Sequence, residues 1–342
     1  MTQRTGARRL VTSAATTGLI AGAALTSAQA ASASGADAAS APAKAAPAYI
    51  SLLFGRANWQ VAGGRDCSIT FPGARTLEQN AQDMKARGVT GTAMVVVGRT
   101  VDTGHSCFGG YTLQSSWEDL ANLRSEYGWQ VTSQGMYYEN MTLMTTDAQR
   151  YAESAATLPI FRDHGFTRAW GSFAFANNKM DLPAQKLVSK YFAFLRKYGD
   201  GVTRKAKATT FPYIMTTLSI NGGQCNNVNL KCYDFPVAND RRATDLNRLK
   251  TLMNPAPDTW SVVQAYRFVE GKQGAMPTQP TPQVFSWDCT SSDWRNRWTS
   301  QPEISCRNTY LEMLDARSPS AKVTDPATVA RAWGRIPPLT AK

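Results

Sequence analysis

Two acids stand where a hydrolase would want them. Glu139 lies in QGMYYENMT, just after a short apolar stretch ending at Ser133, and Asp288 lies beside Cys289 in FSWDCTSSDW. Carboxylates carried by loops after different strands of one barrel can face each other across a single cleft, as glycoside hydrolysis requires. Asp181, after FANNKM, and Asp66, beside Cys67, sit in comparable places and read equally well as caps or loop acids. Arg56 follows YISLLFG and Arg168 opens RAWG. A guanidinium offers a planar fork to a carboxylate, phosphate or sulfate, and it serves just as readily to neutralise a neighbouring acid. Trp59, Trp129, Tyr137, Tyr138 and Trp170 lie on or just after the expected strands, where a ring can stack on a sugar or fill the core. Arg56, Trp59, Tyr138, Arg168 and Trp170 are the expected substrate-binding residues.

Other chemistries are poorly supplied. His105 and His164 are the two histidines of the chain, and His164 in FRDHGF reads as a helix-end residue near the carboxyl dipole. Ser154 and Ser172 have no nucleophile elbow around them, and Gly-x-Ser-x-Gly is absent. There is no Walker loop, no dinucleotide glycine pattern and no nucleic-acid-binding fingerprint. No cofactor is expected.

The elements that must position these residues alternate. YISLLF (49–54) has the apolar density of a central strand, TLEQNAQDMKARG (76–88) reads as a helix with a glycine stop, and GTAMVVVG (91–98) as the next buried strand. The pattern repeats with LQSSWEDLANLRSEYG, capped at Ser115 or Ser116, and the strand WQVTSQG. TTDAQRYAESAATLPIFRDHG predicts one long helical segment, FTRAWGSFAF a strand with its loop, and PAQKLVSKYFAFLRKYG a further helix closed by Gly199. TWSVVQAYRFVE (259–270) is a late strand and TYLEMLDAR (309–317) a last helix. A strand in the 200–258 stretch has no clear place. Five or more such alternations predict an α/β domain, barrel-like or doubly wound.

The amino terminus reads as an export signal over residues 1–30: Arg4, Arg8 and Arg9, then VTSAATTGLIAGAAL, then a small-residue site at Ala28-Gln29-Ala30. Residues 31–47 are an Ala/Ser/Pro-rich tether with little to bury, followed by a folded domain over 48–320 and an extension over 321–342. Six cysteines in an exported chain predict three disulfides. Cys225–Cys232 encloses the polar loop CNNVNLKC, Cys289–Cys306 is the next pair, and Cys67–Cys107 remains by elimination. Fifteen pairings are open in principle. The spacings do not suit a compact zinc finger, so no metal is expected. The net charge is +12, and residues 1–30 hold three arginines and no acids, so the remainder carries +9. A basic exported protein favours anionic polymers such as wall polymers or acidic glycans.

The order of segments resembles the polysaccharide deacetylase family, whose NodB-homology domain (also carbohydrate esterase family 4) is a distorted (β/α) barrel. The resemblance covers roughly residues 49–318. It matches the family's opening strand to Ser51-Leu52-Leu53-Phe54-Gly55-Arg56-Ala57 and its Gly-Thr-x-Phe-Phe-Val strand to Gly91-Thr92-Ala93-Met94-Val95-Val96. The helix before the third strand is matched at Trp117-Glu118-Asp119-Leu120 and that strand at Gly128-Trp129-Gln130-Val131. Its segment with Ser-His and a second histidine falls on Ser133 to Tyr138, its arginine segment on Arg168-Ala169-Trp170-Gly171, and its last barrel strand on Val262 to Tyr266. The resemblance implies a distorted (β/α) barrel acting on polysaccharide, which the expected disulfides would stabilise, and adds Gln134, Gln264 and Tyr266 to the substrate-binding set. The same correspondence puts Gly55 at the family's catalytic base, Arg56 at its metal aspartate, Gln134 and Tyr138 at its metal histidines, and Gln264 or Tyr266 at its late histidine. Glycine takes no proton, arginine repels a divalent cation, and amide and phenol are poor metal ligands. The expectation is therefore a secreted, monomeric, glycan-directed protein that binds or hydrolyses an extracellular or cell-wall polysaccharide without metal-dependent deacetylation. The alternatives are a genuine deacetylase with an atypical site and a basic binder of anionic polymer without catalysis.

Overall fold

The computed structural model describes residues 46–55, 75–102, 107–108, 112–113, 115–220, 246–277, 284–294, 297–299 and 304–339. Strand β1 (Tyr49–Phe54) leads to α1 (Leu77–Lys85) and β2 (Thr92–Val95). Two short strands, β3 (Cys107–Phe108) and β4 (Thr112–Leu113), precede α2 (Trp117–Tyr127) and β5 (Gln130–Ser133). Then come α3 (Asp147–Glu153), α4 (Thr157–Asp163), β6 (Ser172–Ala174), α5 (Leu182–Val188) and β7 (Phe194–Tyr198). The chain continues through β8 (Val202–Arg204), α6 (Lys205–Ala208), β9 (Ile214–Ser219), α7 (Leu246–Leu252) and β10 (Thr259–Ala265). Next are β11 (Arg267–Val269), β12 (Lys272–Pro277), β13 (Val284–Asp288), β14 (Trp298–Thr299) and β15 (Ile304–Cys306). Last come α8 (Arg307–Asp315), β16 (Lys322–Val323) and α9 (Pro326–Ala332).

Seven parallel strands close on themselves in the order β1-β2-β5-β6-β7-β9-β10, with β10 returning to β1. This is the barrel alternative of the two α/β expectations. Its distortion is visible at β1, which pairs with β16 through Tyr49 and Ile50 and with β2 only through Leu53 and Phe54. β16 thus fills the gap that the short β2 leaves. Alternate strand residues face inward: Tyr49, Leu53, Met94, Ala174, Phe194, Met215, Trp260 and Val262 form an apolar plug, which α9 completes with Val329, Ala330 and Trp333. Their outward neighbours Ile50, Leu52, Phe54, Val95, Val131 and Val263 pack in the core beneath the helices. Residues 322–339 therefore close the amino-terminal end of the barrel, where Arg168 pairs with Asp325, the α9 cap, at 2.6 Å.

Two local expectations are corrected. The segment 145–165 forms two helices, because Pro159 cannot sit in a helix interior but is tolerated in the first turn of α4, where its missing N–H has no partner to lose. The segment 183–199 is α5 followed by β7. Phe192, Phe194 and Leu195 are all fully buried, which a barrel strand covered on both faces permits and a surface helix does not. The strand without a place in 200–258 is β9, a full member of the barrel between β7 and β10.

Beyond β10 a lobe is built from the β12-β13-β14 sheet and the β11–β15 pair around Val269, Trp287, Ile304 and the Cys289–Cys306 disulfide. That bond is the expected second pairing. Cys67, Cys225 and Cys232 lie outside the described residues, as do the pairs they would form. The bond closes a loop of 17 residues. Replacing both cysteines by alanine is expected to cost about 3 kcal/mol through the freed chain entropy of the unfolded state, read from denaturant unfolding; a loss below about 1 kcal/mol would mean that the lobe's own core holds it.

Candidate functional site

In a parallel barrel all strand ends share one face, and there the inward positions turn from apolar to polar. Beyond Leu53 on β1 comes Gly55; beyond Val262 on β10 come Gln264 and Tyr266; on β7 the inward residues after Phe194 are Arg196 and Tyr198. The register aligns Leu53 with Gln264 and Phe54 with Ala265, and Gly55 N–H donates to Ala265 O at 2.8 Å. Gly55 thus lies flat against its neighbours. A Cβ there would stand 2.8 Å from Gln264 Nε2 and 2.5 Å from Tyr266 Cε1, so only glycine fits.

Tyr198 joins the parts of this mouth. Its hydroxyl accepts from Gln264 Nε2 at 3.2 Å and is hydrogen-bonded to the Tyr266 hydroxyl. Its ring lies 4.2 Å from the Arg196 guanidinium carbon, and its backbone N–H donates to Asn178 Oδ1 at 3.0 Å. Asn177 and Asn178 both adopt left-handed backbone conformations in the loop after β6, which asparagine tolerates better than most residues. The Asn177 N–H donates to the Tyr138 hydroxyl at 3.2 Å, so the loops after β5 and β6 meet over the mouth. Gln134 follows β5 directly, is fully buried, and is anchored by its N–H to Val95 O at 2.8 Å.

The loop after β5 is held from behind. Glu153, at the end of α3 and 4% exposed, accepts from the Tyr137 N–H at 3.0 Å and the Glu139 N–H at 2.9 Å. This grip keeps Tyr138, at φ 65°, in a conformation that costs a bulky residue energy. Burial pushes the Glu153 carboxyl up to about 7, against those same N–H groups, which favour its charge.

Gln134, Tyr138, Gln264 and Tyr266 all lie at carboxyl-terminal strand ends of the barrel or on the loops that follow them, Gln264 and Tyr266 meeting through Tyr198, with Glu139 exposed on the same loop as Tyr138. Arg56 and Trp59 lie outside the described residues. Arg168 and Trp170 precede β6, in and just before a 3-10 turn at Ala169–Gly171, and so lie at the amino-terminal end, opposite the mouth. The expected strand FTRAWGSFAF starts only at Ser172. Trp170 instead lines a cavity of about 250 Å³ among Tyr151, Phe166, Tyr191 and Leu339, with Arg331 5.4 Å from its ring. Asp288 belongs to the lobe. Hydrogen bonds from Lys272, at 2.8 Å, and then from Thr290 hold its carboxyl down at about 2. Asp181 caps α5 through the Ala184 N–H. His164 ends α4 and stacks on Trp117 with ring centroids 4.1 Å apart. Trp129 is core, against Phe54. Arg196, Tyr198 and Glu153 were missing from the sequence expectation. The first two were hidden by reading FAFLRKYG as helix, although its run of aromatics ahead of a glycine is a strand signal.

No protein-family model and no curated protein matches the chain. Solved structures do align with it. A Mycobacterium smegmatis protein assigned as a polysaccharide deacetylase aligns over 87% of this chain and 94% of its own, at 11% identity and a TM-score of 0.46. The chitin deacetylase of the fungus Colletotrichum lindemuthianum aligns over 85% and 90%, at 12% identity and a TM-score of 0.42. For a Bacillus anthracis protein also assigned as a polysaccharide deacetylase the shares are 49% of this chain and 63% of its own, at 11% identity and a TM-score of 0.35. The likeness is distant and concerns the fold. Among the described residues no group of three His, Cys, Asp or Glu side chains could hold a metal ion. Among the described residues the mouth offers amides, phenols and a buried guanidinium, a donor set that does not fit the divalent ion implied by the sequence resemblance.

The raised Glu153 carboxyl sets a pH dependence. Between its ordinary value of 4.5 and about 7, the folded state holds a proton that the unfolded state has released, so stability falls as pH rises through that window and is flat above it. Denaturant unfolding should show a decline of about 3 kcal/mol that is absent from Glu153→Gln, itself less stable throughout because an amide N–H₂ meets a backbone N–H. Parallel pH profiles for the two proteins would contradict the burial of this group.

Proposed function

We propose that this chain is an exported glycan-directed protein that holds a segment of polysaccharide in the carboxyl-terminal mouth of its barrel, without metal-dependent deacetylation. The observation that carries this reading is the content of the mouth. Gln134, Tyr138, Tyr198, Gln264 and Tyr266 are neutral hydrogen-bonding groups and rings, suited to sugar hydroxyls and to the apolar faces of pyranoses. Binding is favoured over acid hydrolysis because Asp288 is ion-paired with Lys272 at 2.8 Å on β13 of the lobe, which leaves the expected carboxylate pair without its second member on the mouth's own loops. Glu139 is the one acid of the expected pair on the mouth's own loops. The Cys289–Cys306 bond supports an oxidising compartment, as do the signal-like residues 1–30. Among the described residues no helix is long and apolar enough to cross a membrane.

The test is calorimetric titration of the full chain with oligosaccharides of wall polymers, acetylated and not, alongside assays for acetate and reducing ends before and after chelation. Saturable binding without turnover, unchanged by chelator, is expected. Tyr138→Gly suits the left-handed backbone and removes the ring, so it should weaken binding about tenfold, the worth of one aromatic contact. Acetate release that chelation abolishes and a divalent metal restores would overturn the reading.

A further inference from the structure

Arg196 is the most deeply buried arginine among the described residues. It sits on an inward position of β7, is 1% exposed, and neither its Nε nor its Nη1 has a hydrogen-bond partner. Among the described residues no carboxylate lies within ion-pair distance of it. Below it the barrel is filled by Phe194, Met215 and the rest of the apolar plug, so the guanidinium turns the other way, onto the ring of Tyr198. A ring covers only the face of a guanidinium, whereas the N–H groups point outward in its plane. One nitrogen on each donor edge of the fork is therefore left without an acceptor. Water could hydrogen-bond these groups but would bring no countercharge. A buried cation without a counterion is costly to the fold and normally neutralised.

Two further polar atoms at the same end are also without partners. Ser219 Oγ ends the inward row of β9, and Gln264 Oε1 lies on the amide whose nitrogen binds Tyr198. The mouth thus holds unmet donors around a fixed positive charge, with one unmet acceptor joined to them through a single tyrosine. An oxyanion answers the first and a hydroxyl the second. Resting on the reading of the mouth as a glycan site, we propose that its ligand is an acidic sugar, whose carboxylate or sulfate pairs with Arg196 while a ring hydroxyl donates to Gln264. The net charge, +9 without residues 1–30, would draw such a polymer from solution.

The experiment titrates the full, disulfide-bonded chain and its Arg196→Met and Arg196→Lys variants with four probes. These are a uronic-acid trisaccharide, the same trisaccharide methyl-esterified, a sulfated trisaccharide and inorganic sulfate, all at one ionic strength and followed by calorimetry and melting temperature. The wild type should bind one of the acidic sugars at least tenfold more tightly than the neutral ester, and which one identifies the oxyanion. Arg196→Met should bind acid and ester alike and, freed of an unpaired buried charge, melt higher than wild type without ligand. Arg196→Lys should keep part of the preference. Should Arg196→Met fail to fold, the acid-to-ester ratio of the wild type decides. Equal binding of acidic and neutral sugars by wild type overturns the proposal and leaves the glycan reading standing. Sulfate stabilisation that depends on Arg196, with no sugar bound, supports the anion site and overturns the glycan reading. No response to any probe overturns both.

Discussion

The parallel ladder between β1 and β10 joins six residue pairs, from Tyr49 with Trp260 to Phe54 with Ala265, and closes the barrel. Because strand residues alternate between faces, this register determines at once which side chains meet inside. Tyr49, Ser51 and Leu53 point inward alongside Trp260, Val262 and Gln264. The Trp260 indole donates to Ser51 Oγ at 3.0 Å, which satisfies the two polar atoms buried in this part of the plug. A slip of one residue would send Ile50, Leu52 and Phe54 into the barrel and expose its lining to the helices. It would also separate Gly55 from Gln264 and Tyr266.

The two ends of the barrel are finished differently. The amino-terminal end is closed with apolar mass, as α9 lays Val329, Ala330 and Trp333 on the plug and Asp325 takes Arg168. At the other end polar side chains are tied to one another through Tyr198 and to the loops through Asn178 and Tyr138. A barrel interior of this size is a packed core rather than a pore. A ligand must therefore sit on the upper layer, where Arg196, Tyr198, Gln264 and Ser219 end the packing. The strain at that layer is local: Tyr138, Asn177 and Asn178 all have positive φ, and Glu153 braces the first of them from beneath. Backbone conformations of this kind persist where surrounding contacts over-determine them.

Among the described residues, the charge of the mouth weighs against a cation site more than the absence of any one metal-ligating side chain does. Amides and phenols in place of imidazoles would weaken a cation site, while an unneutralised guanidinium opposes one. Arg168, which sequence reading put beside the substrate, is by contrast paired through Nη2 with Asp325 and Thr328 at the far end. Two arginines of similar promise from residue type alone thus have opposite roles. The difference is whether a carboxylate comes within reach.

The chain's periodicities and caps determined most of the elements by themselves: β1, α1 with its Thr76 cap, α2 with its Ser116 cap, β5, β10 and α8 all lie where residue patterns place them. Signals of this sort are local, carried by residues within one or two turns of each other. The polar character of Gln134, Tyr138, Gln264 and Tyr266 near strand ends was legible for the same reason. Only the tertiary structure decided that FAFLRKY carries a strand, since the burial of Phe192 to Arg196 on both faces comes from α5 on one side and the barrel interior on the other. Only it decided that Arg196 has no carboxylate within reach among the described residues, that Glu153 is buried beneath the loop after β5, and that Trp170 lies away from the mouth. Partnership and burial are properties of what packs against a residue, and those neighbours come from strands tens to hundreds of positions away.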